Sequence, residues 1–316
     1  MDKVRIGFIG AGVHANAVHY PSLAQMDDVE IVAVCDINEE RLKKTAEKYG
    51  IPGRYKDYRK MLREEKLDAV YVIMPPHLLH DIVVDVLKNG LNIFIEKPPG
   101  ITRFQTESWA KLAEEKEVKT MVGFNRRFIP LVRVVRDKVL EYGPITQCVS
   151  IFYKNMVGVD SYYNGAIDIL TCDAIHAVDM LRWMCGEPVK VVSVAKSFYS
   201  NRPNSFYALV EFESSIGVLL VNWSSGSRIH VFELHSKGVY AYINPDDKAV
   251  IYASDKAYEI STFEAANSRD RIKYYGFYFE NRHFIDCIKN DLEPETNFRD
   301  ATKTMKLVED IYRSSI

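Results

Sequence analysis

Apolar, β-branched runs at positions 4–9, 29–35, 69–74, 91–95 and 120–124 alternate with stretches of helical period at 15–26, 39–49, 58–64, 78–89 and 103–117. Alternation of this kind predicts an α/β domain with a parallel, doubly wound sheet. Gly50 and Gly90 follow two of the helical stretches, where a left-handed residue favours a helix end. Beyond Gly123 the texture changes. A helix over 130–141 stops before Gly143-Pro144, and longer runs of period two follow at 145–153, 189–199, 206–212, 217–223, 229–235 and 239–243. Short turns between them predict a large, mainly antiparallel open sheet. A helix over 169–185 interrupts the strands, and helices over 276–289 and 300–313 close the chain. The pattern thus predicts a doubly wound domain at 1–122 and an α+β domain at 123–316, with the final helix free to pack back on the first.

Composition narrows the function. The 316 residues suffice for two hydrophobic cores, and a net charge of -2 offers no basic excess for nucleic acid or an acidic membrane surface. No apolar run is long enough to cross a bilayer, and the strand pattern begins at Val4 with no signal-peptide core before it. Cys35, Cys148, Cys172, Cys185 and Cys287 are scattered and form no Cys-x-x-Cys pair. An odd, dispersed set favours free thiols in a reducing cytoplasm, so a cytoplasmic location is expected, with neither nucleic acid nor membrane as partner.

The first strand pattern runs straight into Gly10-Ala11-Gly12-Val13-His14-Ala15, a Gly-x-Gly-x-x-Ala turn that opens a helix. Gly10 permits the tight turn, Gly12 lets backbone approach a pyrophosphate, and Ala15 lets helix and strand pack closely. The helix N-terminus turns N–H groups towards the phosphates, which brings Val13 and His14 into the same cofactor-binding set. Asp36 closes the second strand pattern, where a carboxylate accepts hydrogen bonds from ribose hydroxyls and repels a 2′-phosphate. No arginine follows it directly and Arg41 already lies inside the next helix, so NAD is the expected cofactor and NADP the alternative. Capping of the helix near Glu39 is a competing role for Asp36.

Two further strand ends carry chemistry. Met74-Pro75-Pro76-His77 bends rigidly at the same sheet edge, placing Met74, Pro75 and His77 near the nicotinamide ribose. His77 and His80 also have the look of a metal pair, but capping or packing competes at a helix start, and no metal is expected. Asn92-Ile93-Phe94-Ile95-Glu96-Lys97-Pro98-Pro99 holds Glu96 and Lys97 where the prolines stop a strand, at the edge where open α/β sheets bind ligands. A Glu96–Lys97 ion pair closing the strand is the structural alternative.

With these motifs the chain resembles the glucose–fructose oxidoreductase, inositol dehydrogenase and MocA (Gfo/Idh/MocA) family. Further matching segments are Gly123-Phe124-Asn125-Arg126-Arg127-Phe128-Ile129-Pro130, His176-Ala177-Val178-Asp179-Met180-Leu181-Arg182-Trp183 and Asp300-Ala301-Thr302-Lys303-Thr304-Met305. The resemblance implies an N-terminal Rossmann domain, and a C-terminal domain whose sheet forms a homodimer or homotetramer. It also implies NAD(P)-dependent oxidation or reduction of a sugar, polyol or derivative. Lys97 takes the family's lysine role of polarising the substrate oxygen, and His176 that of general acid/base, although a lone helical histidine can equally be structural. The family aspartate four residues before this histidine is replaced by Cys172, which leaves Asp173, three before it, as the third catalytic candidate. Asn125, Arg126, Tyr153 and Tyr163 join Asp173 and His176 as substrate-binding candidates. Asp179 reads equally as structural or catalytic, and Arg126 and Arg127 as possible domain-junction ion pairs. A redox-neutral enzyme that cycles NAD (glycosidase, epimerase or transhydrogenase) and an NAD-dependent sugar sensor are the alternative functions.

Overall fold

Strands β1 (Val4–Ile9), β2 (Val29–Cys35), β3 (Gly53–Tyr55), β4 (Ala69–Val72), β5 (Asn92–Glu96) and β6 (Thr120–Gly123) form one parallel sheet in the order β3-β2-β1-β4-β5-β6. That is the doubly wound order of dinucleotide-binding folds, with its switch point between β1 and β4. Helices cover both faces of such a sheet, so its strands are apolar on both sides rather than alternating. Ile6, Phe8, Val70, Tyr71, Ile93, Phe94 and Ile95 are all fully buried.

The computed structural model describes residues 3–316 and divides into two units. The first takes the chain up to Phe124 together with Phe277–Thr302, and the second takes Asn125–Gly276 with Lys303–Ile316. The sequence pattern put 123–316 in a single domain, so 277–302 differ from that expectation. Long-range bonds explain the difference. Asn281 bonds His19, Arg282 and Lys289 both hold Asp28, and Thr296 exchanges bonds with Val122 at the end of β6. Helix Phe277–Asn290 is therefore the element that joins the first unit, while helix Phe298–Arg313 only begins there.

The second unit is built on an eight-stranded sheet. Its strands are β7 (Gln147–Asn155), β10 (Pro188–Lys196), β11 (Ser205–Phe212), β12 (Ile216–Asn222), β13 (Ser224–Ser236), β14 (Val239–Ile243), β15 (Lys248–Ala253) and β16 (Lys256–Ser261). Two short strands, β8 (Ser161–Tyr162) and β9 (Ile167–Asp168), pair apart from it. The sheet order is β10-β11-β12-β7-β13-β14-β15-β16, and every pairing is antiparallel except β12 with β7. The hairpin β15–β16 has no counterpart in the sequence reading. It turns at Ser254 and Asp255, both at positive φ (51° and 58°), without the Asn-Gly or Asp-Gly signal that usually announces such a turn. Helix Ile175–Cys185 lies on β7 and β12, where Ser150 Oγ donates to the Ala177 carbonyl at 3.0 Å. Among the described residues no helix is long and apolar enough to cross a membrane.

Candidate active site

In the first unit, the ends of β1, β2, β4 and β5 meet at one sheet edge. Gly10 has a φ of 112°, and a Cβ there would lie 2.3 Å from the Ile73 carbonyl oxygen, so only glycine fits this turn. A Cβ on Gly12 would meet nothing within 4 Å, leaving its backbone facing open space in which a phosphate can approach. The helix that follows starts with a π turn over Ala15–His19 in place of regular α geometry. Asp36 ties the glycine turn to β2. Its Oδ2 accepts the Ala11 N–H at 2.9 Å, and its Oδ1 accepts the Asn38 N–H at 2.8 Å. The cap of helix Glu39–Tyr49 is Asn38, so capping is not the role of Asp36. Arg41 corrects the expectation built on its place inside that helix. Its long side chain reaches back to within 3.3 Å of Asp36 Oδ1.

A cleft of about 510 Å³ opens beside this edge, lined by Gly10, Gly12, Asp36, Met74 and Pro75. Arg41, Lys56, Tyr58 and Arg59 also line it and carry no local sequence signal, because β3 and the helix after it bring most of them there. Apolar side chains such as Ile37, Leu78 and Ile82 complete the walls. Apolar walls for a base, a carboxylate for ribose hydroxyls and an unobstructed glycine backbone for phosphates fit a dinucleotide. His77 is exposed on the turn Pro76–Leu78 and does not line the cleft. His80 accepts a hydrogen bond from Trp109 Nε1 at 3.2 Å, a packing role and not a metal-binding one.

Glu96, at the end of β5, is buried and engaged on both oxygens. Its Oε1 lies 2.9 Å from Nε2 of both His14 and His19, and its Oε2 accepts the Lys97 backbone N–H at 3.1 Å. Burial works to raise the Glu96 pKa, but the charge and hydrogen bonds of His14 and His19 hold it well below the usual carboxylate range. These three side chains have the composition of a metal site, yet an oxygen shared between two ring nitrogens is an arrangement of N–H donors. The Glu96 carboxylate is thus taken by two histidines and a backbone N–H, and the strand-closing Glu96–Lys97 ion pair is not what forms. His19 was missed in the sequence, since nothing in its local pattern ties it to a residue 77 positions away. The Lys97–Pro98 peptide is cis.

In the second unit, His176 is buried on helix Ile175–Cys185, and Asp173 lies in the π turn Leu170–Ala174 that leads into it. Spacing rules for a regular α-helix do not carry across such a turn. Asp173 Oδ2 receives the Lys154 ammonium and the Tyr162 hydroxyl, the latter at 2.8 Å, and Trp223 Nε1 donates to that same hydroxyl oxygen at 3.0 Å. Burial and the neighbouring Asp173 push the Tyr162 phenol pKa up, which keeps it a neutral donor. Tyr162, which the sequence reading does not single out as a site residue, is the tyrosine that donates to Asp173. Tyr163 lies 46% exposed in a turn at positive φ. Tyr153 is not brought there either. Ser150, Phe152 and Lys154 share the helix-facing side of β7, and alternation turns Tyr153 to the opposite face. Asn125 and Arg126 lie together on the 3₁₀ turn Asn125–Phe128, with Asn125 Nδ2 donating to the Tyr275 carbonyl at 2.9 Å. Arg127 pairs with Asp179 inside the second unit.

A dinucleotide cradle on a doubly wound sheet, followed by an α+β unit on a large antiparallel sheet, defines a class of NAD-binding oxidoreductases of the dehydrogenase type. Residues 4–124 match the family model described as oxidoreductase family, NAD-binding Rossmann fold. The chain is 24% identical to the myo-inositol 2-dehydrogenase of Thermotoga maritima, over 96% of this chain and 94% of that protein. A dehydrogenase from Chromobacterium violaceum superposes with a TM-score of 0.91 at 21% identity, covering 100% of this chain and 96% of that one. Levoglucosan dehydrogenase in complex with NADH and levoglucosan does so at 0.88 and 17%, covering 99% and 97%. At these identities the two structures speak for the fold.

Proposed function

We propose that this protein transfers hydride between a nicotinamide dinucleotide, NAD in preference to NADP, and a CH–OH group of a sugar, polyol or sugar-derived substrate. The observation that carries the reading is the 2.9 Å bond between Asp36 and the Ala11 N–H, which holds an acidic acceptor against the glycine turn. The inositol and levoglucosan in the names of its relatives support the substrate class.

The bound nicotinamide supplies the hydride acceptor or donor. Lys97, just beyond β5, provides a cation for the oxygen that becomes alkoxide-like. His176 takes the hydroxyl proton in oxidation and returns it in reduction. Asp173, held by Lys154 and Tyr162, joins Asn125 and Arg126 in orienting the substrate. The exposed apolar side chains Val192 and Leu209, paired across β10 and β11, support homo-oligomerisation through the sheet, which light scattering tests.

Turnover followed by NADH absorbance across a panel of sugars and polyols tests the reaction. Lys97→Met and His176→Ala are each expected to lower kcat by about 10²–10⁴-fold while NAD still binds. Near-normal turnover in both variants refutes the assignment. Tightly bound NAD with no net NADH production turns the reading towards a redox-neutral cycle.

A further inference from the structure

We propose that the substrate carries an anionic group, a carboxylate or a phosphate, that is bound by Arg126 and Arg228 beside His230. This deepens the reading above and rests on it for the reaction, though not for the binding site itself.

The second unit concentrates positive charge near the catalytic helix. Around the buried ring of Tyr275 stand three guanidinium groups, those of Arg126 at 5.1 Å, Arg271 at 5.4 Å and Arg228 at 5.7 Å from its centre. Arg228 also lies 5.9 Å from the ring of Phe152, with the Lys154 ammonium 5.2 Å from that same ring. The His230 imidazole stacks on Phe152 at 4.1 Å, with the planes 8° apart. The cations therefore form a continuous series over two aromatic rings, ending at Lys154, which pairs with Asp173.

Counter-charge within this series is incomplete. Asp246 pairs with Arg228 at 2.6 Å, and Asp173 is taken by Lys154 and Tyr162. Among the described residues Arg126 has no carboxylate partner. Its Nη1 donates to the neutral amide oxygen of Asn125, and its ring contact is with Tyr275.

Two buried polar atoms point the same way. Arg126 Nε and His230 Nε2 are shielded from solvent, and neither has a hydrogen-bond partner among the described residues. Buried polar groups are nearly always paired, so two such atoms in one cluster amount to unused binding capacity. Burial, with Arg126 and Arg228 nearby, holds the His230 pKa well below its ordinary value, so its neutral ring keeps one nitrogen able to donate. Guanidinium forks match carboxylate and phosphate oxygens in a two-point geometry. Hydroxyls of a neutral polyol would fill hydrogen bonds but leave the charge of Arg126 unmatched.

The test is calorimetric titration of the NAD-saturated enzyme with matched pairs: glucitol against gluconate, glucose against glucuronate, and glucose against glucose 6-phosphate. The charged member of at least one pair is expected to bind about 10- to 100-fold more tightly, the range of a charge-assisted hydrogen-bond pair. In Arg126→Met and Arg228→Met that margin should shrink to within about threefold, in protein whose NAD affinity and Tm show it folded. The carboxylate and phosphate arms identify the source of the anion. Equal binding within every pair, no binding by any charged member, or a margin that survives both substitutions overturns the proposal. Acids bound with this margin but never oxidised would defeat the dehydrogenase reading and leave the anion site standing. Neutral sugars oxidised with the same kcat/KM as their acids would do the reverse.

Discussion

Arg127 grips Asp179 at two points. Its Nε donates to Oδ2 at 2.8 Å and its Nη2 to Oδ1, while Thr304 Oγ1 donates to Oδ1 at 2.8 Å. Both side chains are buried, 3% and 1% exposed. The pair fastens the turn Asn125–Phe128, which carries Arg126, to the helix that carries His176. Asp179 is thereby a structural group, although it lies only three residues from the proposed acid/base.

Asp179→Asn should therefore cost stability before it costs chemistry. It removes one charge of a buried ion pair, a loss of about 3–5 kcal/mol. Urea denaturation reads this directly. An unchanged midpoint would mean that the pair contributes nothing to the fold.

Asp36→Ala removes both the proposed ribose acceptor and the tether on the Ala11 N–H, and frees Arg41. The expected result is a rise of about 10- to 100-fold in KM for NAD, the worth of one or two hydrogen bonds to a charged group. The NADP-to-NAD ratio of kcat/KM should rise with it. Steady-state kinetics with both cofactors decide, and a constant ratio contradicts the role given to Asp36.

Glu96 sets an acid limit. Its folded pKa lies below that of the unfolded chain, near 4.3, so the unfolded state binds more protons in acid. Its stabilisation is complete above about pH 5 and disappears as pH falls through the folded value. Glu96→Gln should flatten the acid side of the stability–pH curve while lowering stability at neutral pH. Thermal melts from pH 3 to 8 would show it, and parallel curves for the two proteins would rule it out.

Gly276→Ala should disturb the substrate side selectively. Gly276 has a φ of 86°, and a Cβ there would lie 2.3 Å from the Asn125 carbonyl oxygen and 2.8 Å from the Ile129 nitrogen. Strain and overpacking predict a loss of about 1–3 kcal/mol and a shifted Asn125–Arg126 turn. KM for the sugar substrate should rise more than KM for NAD. Equal effects on both would indicate general destabilisation.

Much of this architecture was legible without coordinates, for local reasons. Apolar strand runs separated by helical period required a parallel doubly wound sheet, and period two beyond Gly123 required an antiparallel one. The glycine turn and Asp36 were readable because a tight turn and a strand-end carboxylate are local properties. The domain boundary was not, because residues 277–302 join the first unit through His19, Asp28 and Val122, each far away in sequence. The hairpin β15–β16 was lost because Ser254 and Asp255 take positive φ without a glycine.

The sequence by itself determined the two sheet types and the dinucleotide turn, which follow from periodicity and residue chemistry over a few positions, while the candidacy of Lys97 and His176 rested on the family resemblance. Only the tertiary structure decided the partners. Glu96 bonds His14 and His19, not the Lys97 ammonium, because folding brings the start of the first helix against the end of β5. Asp173 meets Lys154 and Tyr162 while Tyr153 turns away, because strand alternation and a π turn set where each side chain points. Direction and burial are properties of register and packing, and a linear pattern does not contain them until the strands are paired.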